Sequence, residues 1–161
     1  MEIVYDPLRM EDSEEFFSLA GDERVAATMR FDCPHTKEES DRILADYLVR
    51  GNRSFALRWE PKGRLWGVFA FRQASEPESA DLSQMLLPEQ WGHGLGRQVL
   101  GEMVELAKEK KWYHFLEGYI LQTNSASRRM AERVGFQEIR RHRFPGMTED
   151  LIVYHLSLSP A

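Results

Sequence analysis

The run Leu86-Leu87-Pro88-Glu89-Gln90-Trp91-Gly92-His93-Gly94-Leu95-Gly96-Arg97 holds the residue types most able to bind an anion. An apolar segment, Met85 to Leu87, enters it, three glycines stand at alternate positions, and an amphipathic helical pattern leaves it. A strand, a glycine-rich turn and a helix N-terminus together aim several backbone N–H groups at one negative charge. Glycine lets the backbone approach a phosphate closely and take positive φ there. A tight turn with no ligand is the bland alternative. A Walker loop fails, because it needs Gly-x-x-x-x-Gly-Lys-Ser/Thr and Arg97-Gln98 follow the last glycine. A dinucleotide fingerprint needs Gly-x-Gly-x-x-Gly, whereas Arg97 takes the place of its third glycine. Glu117 lies about where a ribose contact would be, which keeps that reading as a rival.

Charge and composition bound the remaining possibilities. The chain has 161 residues, 42% hydrophobic and 29% charged, which suits one globular domain over residues 1–161. No apolar run approaches the ~20 residues of a membrane span, and no charged-then-apolar leader opens the chain, so membrane and secretory classes drop out. A single cysteine, Cys33, excludes an internal disulfide and points to a reducing cytoplasm. Cys33 with His35 nearby reads as a loop pair rather than a nucleophile and base. The net charge of −5 argues against a nucleic-acid partner. The charge is nevertheless uneven. From Arg128 to Arg143 six arginines face only Glu132 and Glu138, a local site for a polyanion or a solvated helix face.

Positioning those residues requires elements that the periodicity supplies. A first strand is expected at residues 2–5, stopped by Pro7. Asp12 or Ser13 caps a helix carrying Phe16, Phe17 and Leu19, and a shorter helical piece follows at residues 25–29. Thr36-Lys37-Glu38-Glu39 is a capping box for a helix that Gly51 closes. Alternation at Phe55, Leu57 and Trp59 gives a second strand, and the continuous apolar run 65–71 gives a central third one. Residues 81–87 form a fourth strand leading into the glycine turn. The next helix carries Leu95, Val99, Met103 and Leu106 on one stripe. A fifth strand at 115–121 precedes a helix opened by Asn124, with Ala126, Met130 and Val134 inward and a Gly135-Phe136 stop. Strands at 136–143 and 151–158 end the chain.

The glycine turn resembles the pyrophosphate loop of the GNAT superfamily of N-acetyltransferases, whose pattern is Arg/Gln-x-x-Gly-x-Gly/Ala. Gly94 and Gly96 match its glycines, and Trp91 stands where Arg or Gln is usual. About thirty residues on, Asn124-Ser-Ala-Ser127 running to Gly135-Phe136 resembles the family's Asn-x-x-Ser helix with its Gly-Phe stop. The element order fits too, so the resemblance covers nearly the whole chain. It is closest to the RimJ/RimL-like branch that acetylates ribosomal-protein N-termini. It implies an α/β (α+β) fold: a mixed, largely antiparallel seven-stranded sheet flanked by helices, with strands four and five splayed for the cofactor.

The same resemblance implies a site. Backbone groups of Met85, Leu86 and Leu87 would pair with the pantetheine arm of acetyl-CoA like an added strand, and one N–H would face the thioester oxygen. N–H groups of Gly92, His93, Gly94, Leu95, Gly96 and Arg97 would hold the pyrophosphate. Asn124 would contact the pantetheine or nearby backbone, and Arg97, Arg128 or Arg129 the 3′-phosphate. Many members carry a tyrosine acid seven residues after the asparagine, where this chain has Ala131; Ser127 takes that role in the N-terminal-acetylating branch or else simply fills the first helical turn. The branch's base position, aligned from Asp150 and Tyr154, falls on His142, with Asp81 and Glu117 as alternatives. Phe31, Tyr113 and Phe144 are candidates to line the acceptor pocket. The expected activity is transfer of acetyl from acetyl-CoA to a primary amine, a protein N-terminus or a small molecule, in a ternary complex. No metal is expected, and the protein would be a monomer or homodimer. A non-catalytic CoA-binding module is the competing class, because the tyrosine is missing and the base position is not a carboxylate.

Overall fold

In the computed structural model residues 2–159 are described; the ends of the expected domain, Met1, Pro160 and Ala161, lie outside them. The first strand, β1 (Val4–Pro7), leads through a 3₁₀ turn at Met10–Asp12 into α1 (Ser13–Ala20), α2 (Glu23–Ala26) and α3 (Lys37–Tyr47). Then come β2 (Arg53–Arg58), β3 (Gly67–Gln73), β4 (Ser79–Leu86), a 3₁₀ turn at Pro88–Gln90 and α4 (Leu95–Lys110). The chain ends with β5 (Phe115–Leu121), α5 (Ser125–Val134), β6 (Gln137–His142) and β7 (Leu151–Ser157). The seven strands form a mixed sheet in the order β1-β2-β3-β4-β5-β7-β6, flanked by helices, with β4 and β5 as its parallel pair. Pro7 is the last residue of β1, which runs two residues past the expected end at Tyr5 and stops there. At the sheet edge the N–H that proline lacks needs no ladder partner.

Two compact units are distinguished: residues 1–72 with 83–93, and residues 73–82 with 94–161. In the first, Thr36 caps α3 by accepting from the Glu39 N–H at 3.1 Å, as the capping box predicts. α1 packs on α3, where Phe16 meets Tyr47 edge-on at 5.8 Å between ring centres. The run Leu65 to Phe71 is buried throughout, as expected of a central strand. Arg58 is also buried, and Asp12 accepts from it at 2.6 Å and the Gly63 carbonyl at 2.9 Å, which offsets the cost of removing its guanidinium from water.

In the second unit the buried stripe of α4 is Val99, Leu100, Met103, Val104 and Ala107; Val99 and Met103 are buried as expected, whereas Leu95 and Leu106 are only half-buried. The inward side of α5 also differs. Ala131 is its one buried residue, whereas Ala126 is exposed and Met130 and Val134 half-buried. A polar contact holds this helix instead: Arg128 Nε donates to the Tyr154 hydroxyl at 3.1 Å, and that hydroxyl donates to Glu132 at 2.9 Å. The Gly135 stop forms as predicted, with φ of 115° and the Phe136 N–H on the Ala131 carbonyl at 3.0 Å.

Candidate functional site

The end of β4 shows which backbone groups are spoken for. The Leu87 N–H donates to the Trp66 carbonyl at 2.9 Å, toward the β3 side. The Met85 carbonyl faces the same side, 2.9 Å from where a Cβ on Gly67 would stand. Alternation along a strand therefore turns the Leu86 N–H and carbonyl to the opposite edge. There the Trp91 indole N–H donates to the Leu86 carbonyl at 2.9 Å. The side chains of Met85 and Leu87 are buried and their backbone groups face β3, so of the three expected residues Leu86 is the one that can offer backbone to a ligand at the other edge. Gly92 has φ of 80°, a conformation that side chains disfavour, and a Cβ there would meet nothing within 4 Å. His93 beside it is exposed.

The N-terminus of α4 is open in the same way. Gly94 is its N-cap with φ of 76°, no side chain caps it, and a Cβ would again meet nothing within 4 Å. The first helical bond runs from the Gln98 N–H to the Gly94 carbonyl at 3.1 Å, so the N–H groups of Leu95 and Arg97 precede the ladder. Most helices place Asp or Glu in this turn to answer the dipole; α4 has none and carries Arg97. An anion from outside suits that vacancy of charge. Arg97 also lines an open groove of about 740 Å³ along α4, together with Gly101, Lys108 and Arg133. No sequence signal marked Gly101, and Arg133 stood out only as one of six clustered arginines. Only the packing of α5 beside α4 brings Arg133 to that groove, which no spacing along the chain could have signalled.

On β5 the titratable candidates fall into register. Asp81 pairs directly with Glu117, the last of three parallel pairs that begin at Ser79 and Phe115. Glu117 is buried, and Arg140 donates to its Oε2 at 3.3 Å. The same guanidinium donates through Nε to His142 Nε2 at 3.1 Å, so the lone pair His142 would use as a base is occupied. His142 also stacks on the exposed Phe144 at 5.7 Å. Asn124 caps α5, its Oδ1 accepting from the Ser127 N–H at 3.3 Å. Ser127 is half-buried in the first turn, and its hydroxyl bonds to no described residue.

The arginine cluster of the sequence is dispersed. Arg128 is held by the Tyr154 hydroxyl and by the Gln122 carbonyl at 3.1 Å, Arg141 by Glu138, and Arg143 by Asp150 at 2.9 Å. Arg129 and Arg133 are exposed and make no hydrogen bond or ion pair to a described residue. Arginine beside Glu138 holds that carboxyl below the usual range, a surface effect only. Burial pushes the Cys33 thiol up, and it donates to the Gly21 carbonyl at 3.5 Å, the loop role expected of it. Among the described residues no cluster of His, Cys, Asp and Glu could hold a metal, and no helix is long and apolar enough to cross a membrane.

Residues 2–137 match the family model described as the acetyltransferase (GNAT) domain. The chain belongs to this GNAT acetyltransferase family. No curated protein sequence matches it. Solved structures similar to this GNAT chain include an acetyltransferase from Bacillus anthracis, with a TM-score of 0.83 at 14% identity over 98% of this chain and 96% of that one. Another is spermidine N-acetyltransferase from Vibrio cholerae in complex with CoA and spermine, with a TM-score of 0.82 at 14% identity over 97% and 95%. A third is yncA of Salmonella typhimurium with its cofactor acetyl-CoA, with a TM-score of 0.77 at 18% identity over 100% and 96%. At such identities the likeness is one of fold. GNAT membership makes the chain an acyltransferase; its acceptor follows from neither the family nor the fold.

Proposed function

We propose that the protein transfers acetyl from acetyl-CoA to a primary amine, by direct attack in a ternary complex within one domain spanning both units. One observation carries the assignment: an uncapped α4 N-terminus with a left-handed glycine cap and no acidic residue in its first turn, which suits a pyrophosphate. The CoA and acetyl-CoA complexes of the neighbouring structures support the cofactor. Backbone of Leu86 would take the pantetheine arm, and the turn from Gly92 to Arg97 the pyrophosphate. Arg97 and Arg133, on the groove beside α4, suit the 3′-phosphate better than Arg128, which Tyr154 and Gln122 engage.

For the chemistry, Asp81 takes the proton that leaves the acceptor's ammonium, directly or through one water. Its support is its place at the last β4–β5 pair, with the neighbouring Glu117 already answered by Arg140. Acetyl-CoA supplies the thioester carbon, where the new C–N bond forms as the C–S bond breaks. Ser127 gives its hydroxyl proton to the departing thiolate and regains one from the second proton that the nitrogen loses as the amide forms, and the absence of any other described partner for that hydroxyl supports the role. Ser127, Ala131 and Trp91 together favour the RimJ/RimL-like branch and hence a cytoplasmic enzyme.

The test is release of free CoA from acetyl-CoA across a panel of spermidine, amino acids and N-terminal peptides, alongside melting curves. Acetyl-CoA at ~100 times Kd should stabilise the protein by ~2.7 kcal/mol, with NAD and ATP inert. Binding without turnover on any amine would replace this proposal by a CoA-binding module; stabilisation by NAD alone would remove the cofactor assignment itself.

A further inference from the structure

We propose that Trp91 gates the pantetheine slot by holding the backbone acceptor that the arm must use, an inference that rests on the acetyl-CoA assignment above. The Leu87 N–H and the Met85 carbonyl both face β3, so Leu86 alone in this stretch presents its N–H and carbonyl to the other edge. The β4–β5 register runs from Ser79 to Asp81, five residues short of Leu86. A ligand adding itself as a strand along this edge needs the Leu86 carbonyl as acceptor. That carbonyl already receives the Trp91 indole N–H at 2.9 Å.

The ring is free to leave. It is 42% exposed, and the next residue, Gly92, has open space around its α-carbon. Among the described residues its indole makes one hydrogen bond and no ion pair, so the polar hold on its closed position is that bond. A single net hydrogen bond favours the closed form over the open one by about fivefold. Only the open fraction accepts the arm, and the apparent Kd rises in proportion.

Trp91→Phe keeps an aromatic ring and removes the donor. It should tighten CoA binding about three- to sixfold by calorimetry, with a melting temperature lowered by at most ~4 °C. Adenosine 3′,5′-bisphosphate, which has no pantetheine arm, should bind both proteins equally. In the wild type CoA should also change the tryptophan emission, and that change should vanish in the variant, which retains Trp59, Trp66 and Trp112. Equal or weaker CoA binding by Trp91→Phe overturns the gate alone. So does an equal gain for the bisphosphate, since the effect would then lie in the phosphate turn. A wild-type protein that binds no CoA defeats the cofactor assignment and the gate with it.

Discussion

Ser127, Asp81 and His142 occupy different chemical surroundings although each is a proton-transfer candidate by residue type. The Ser127 hydroxyl has no described partner, Asp81 stands at the last paired position of β4, and His142 has its Nε2 held by Arg140. Their variants should therefore separate. Ser127→Ala and Asp81→Asn are each expected to lower kcat by roughly 10² to 10⁴ while acetyl-CoA affinity changes little. His142→Ala should cost far less, because a lone pair bonded to a guanidinium is not available until that bond breaks. Steady-state kinetics with direct acetyl-CoA titration reads both quantities. A kcat loss in His142→Ala equal to that in Asp81→Asn would move the base to the histidine.

At the scale of the element, α5 joins a capping role to a binding one at a single residue. Asn124 uses Oδ1 to cap the helix through the Ser127 N–H, which leaves its amide N–H₂ for a ligand. Asn124→Asp keeps the capping oxygen and should leave stability within a few tenths of a kcal/mol, whereas Asn124→Ala should lose about 1 kcal/mol. If the amide also serves the cofactor, Asn124→Asp should still weaken CoA binding, because a carboxylate cannot donate. Urea unfolding beside CoA titration separates the two roles, and wild-type affinity in Asn124→Asp would confine the residue to the cap. α5 also explains why the arginine cluster misleads as a string. Arg128 follows Ser127 directly, yet its guanidinium turns to Tyr154 and Gln122 and ties the first turn to β7 and to the turn after β5.

Across the whole molecule each unit buries one tyrosine whose hydroxyl resists ionisation. Burial raises Tyr47 above its ordinary value near 10, against the opposing hydrogen bond with Ser83. Burial likewise raises Tyr154, against its bond from Arg128. Both folded values lie above the unfolded one, so the native state holds more protons than the unfolded state once pH passes about 10. The contribution of the two tyrosines should be flat below that point and fall as pH rises through their folded values, after the raised Cys33 thiol has begun the decline near pH 9. Urea unfolding from pH 8 to 11 should show the decline, and Tyr154→Phe, which removes one contributor, should shallow it. An unchanged slope in that variant would exclude Tyr154 from the effect.

Local rules determined much of this protein before any packing was known. The Thr36 box, the Asn124 cap and the Gly135 stop depend on residues within a few positions of one another, and each formed where it was read, whereas β2 formed without the expected alternation, with Ala56, Leu57 and Arg58 buried in succession and Trp59 beyond its end. The family was legible for the same reason, since the glycine turn and the Asn-x-x-Ser helix are short motifs with fixed spacing. The burial of Leu100, Val104 and Ala107 on α4, the polar seat of α5, the Asp81–Glu117 pairing and the place of Arg133 on the α4 groove came only with the fold. So did the donor on the Leu86 carbonyl. These depend on which groups from distant segments approach within hydrogen-bond or van der Waals reach. An arginine's partner is chosen by what it meets in space, so a count of charges along the chain could not say which of six would remain open to an anion.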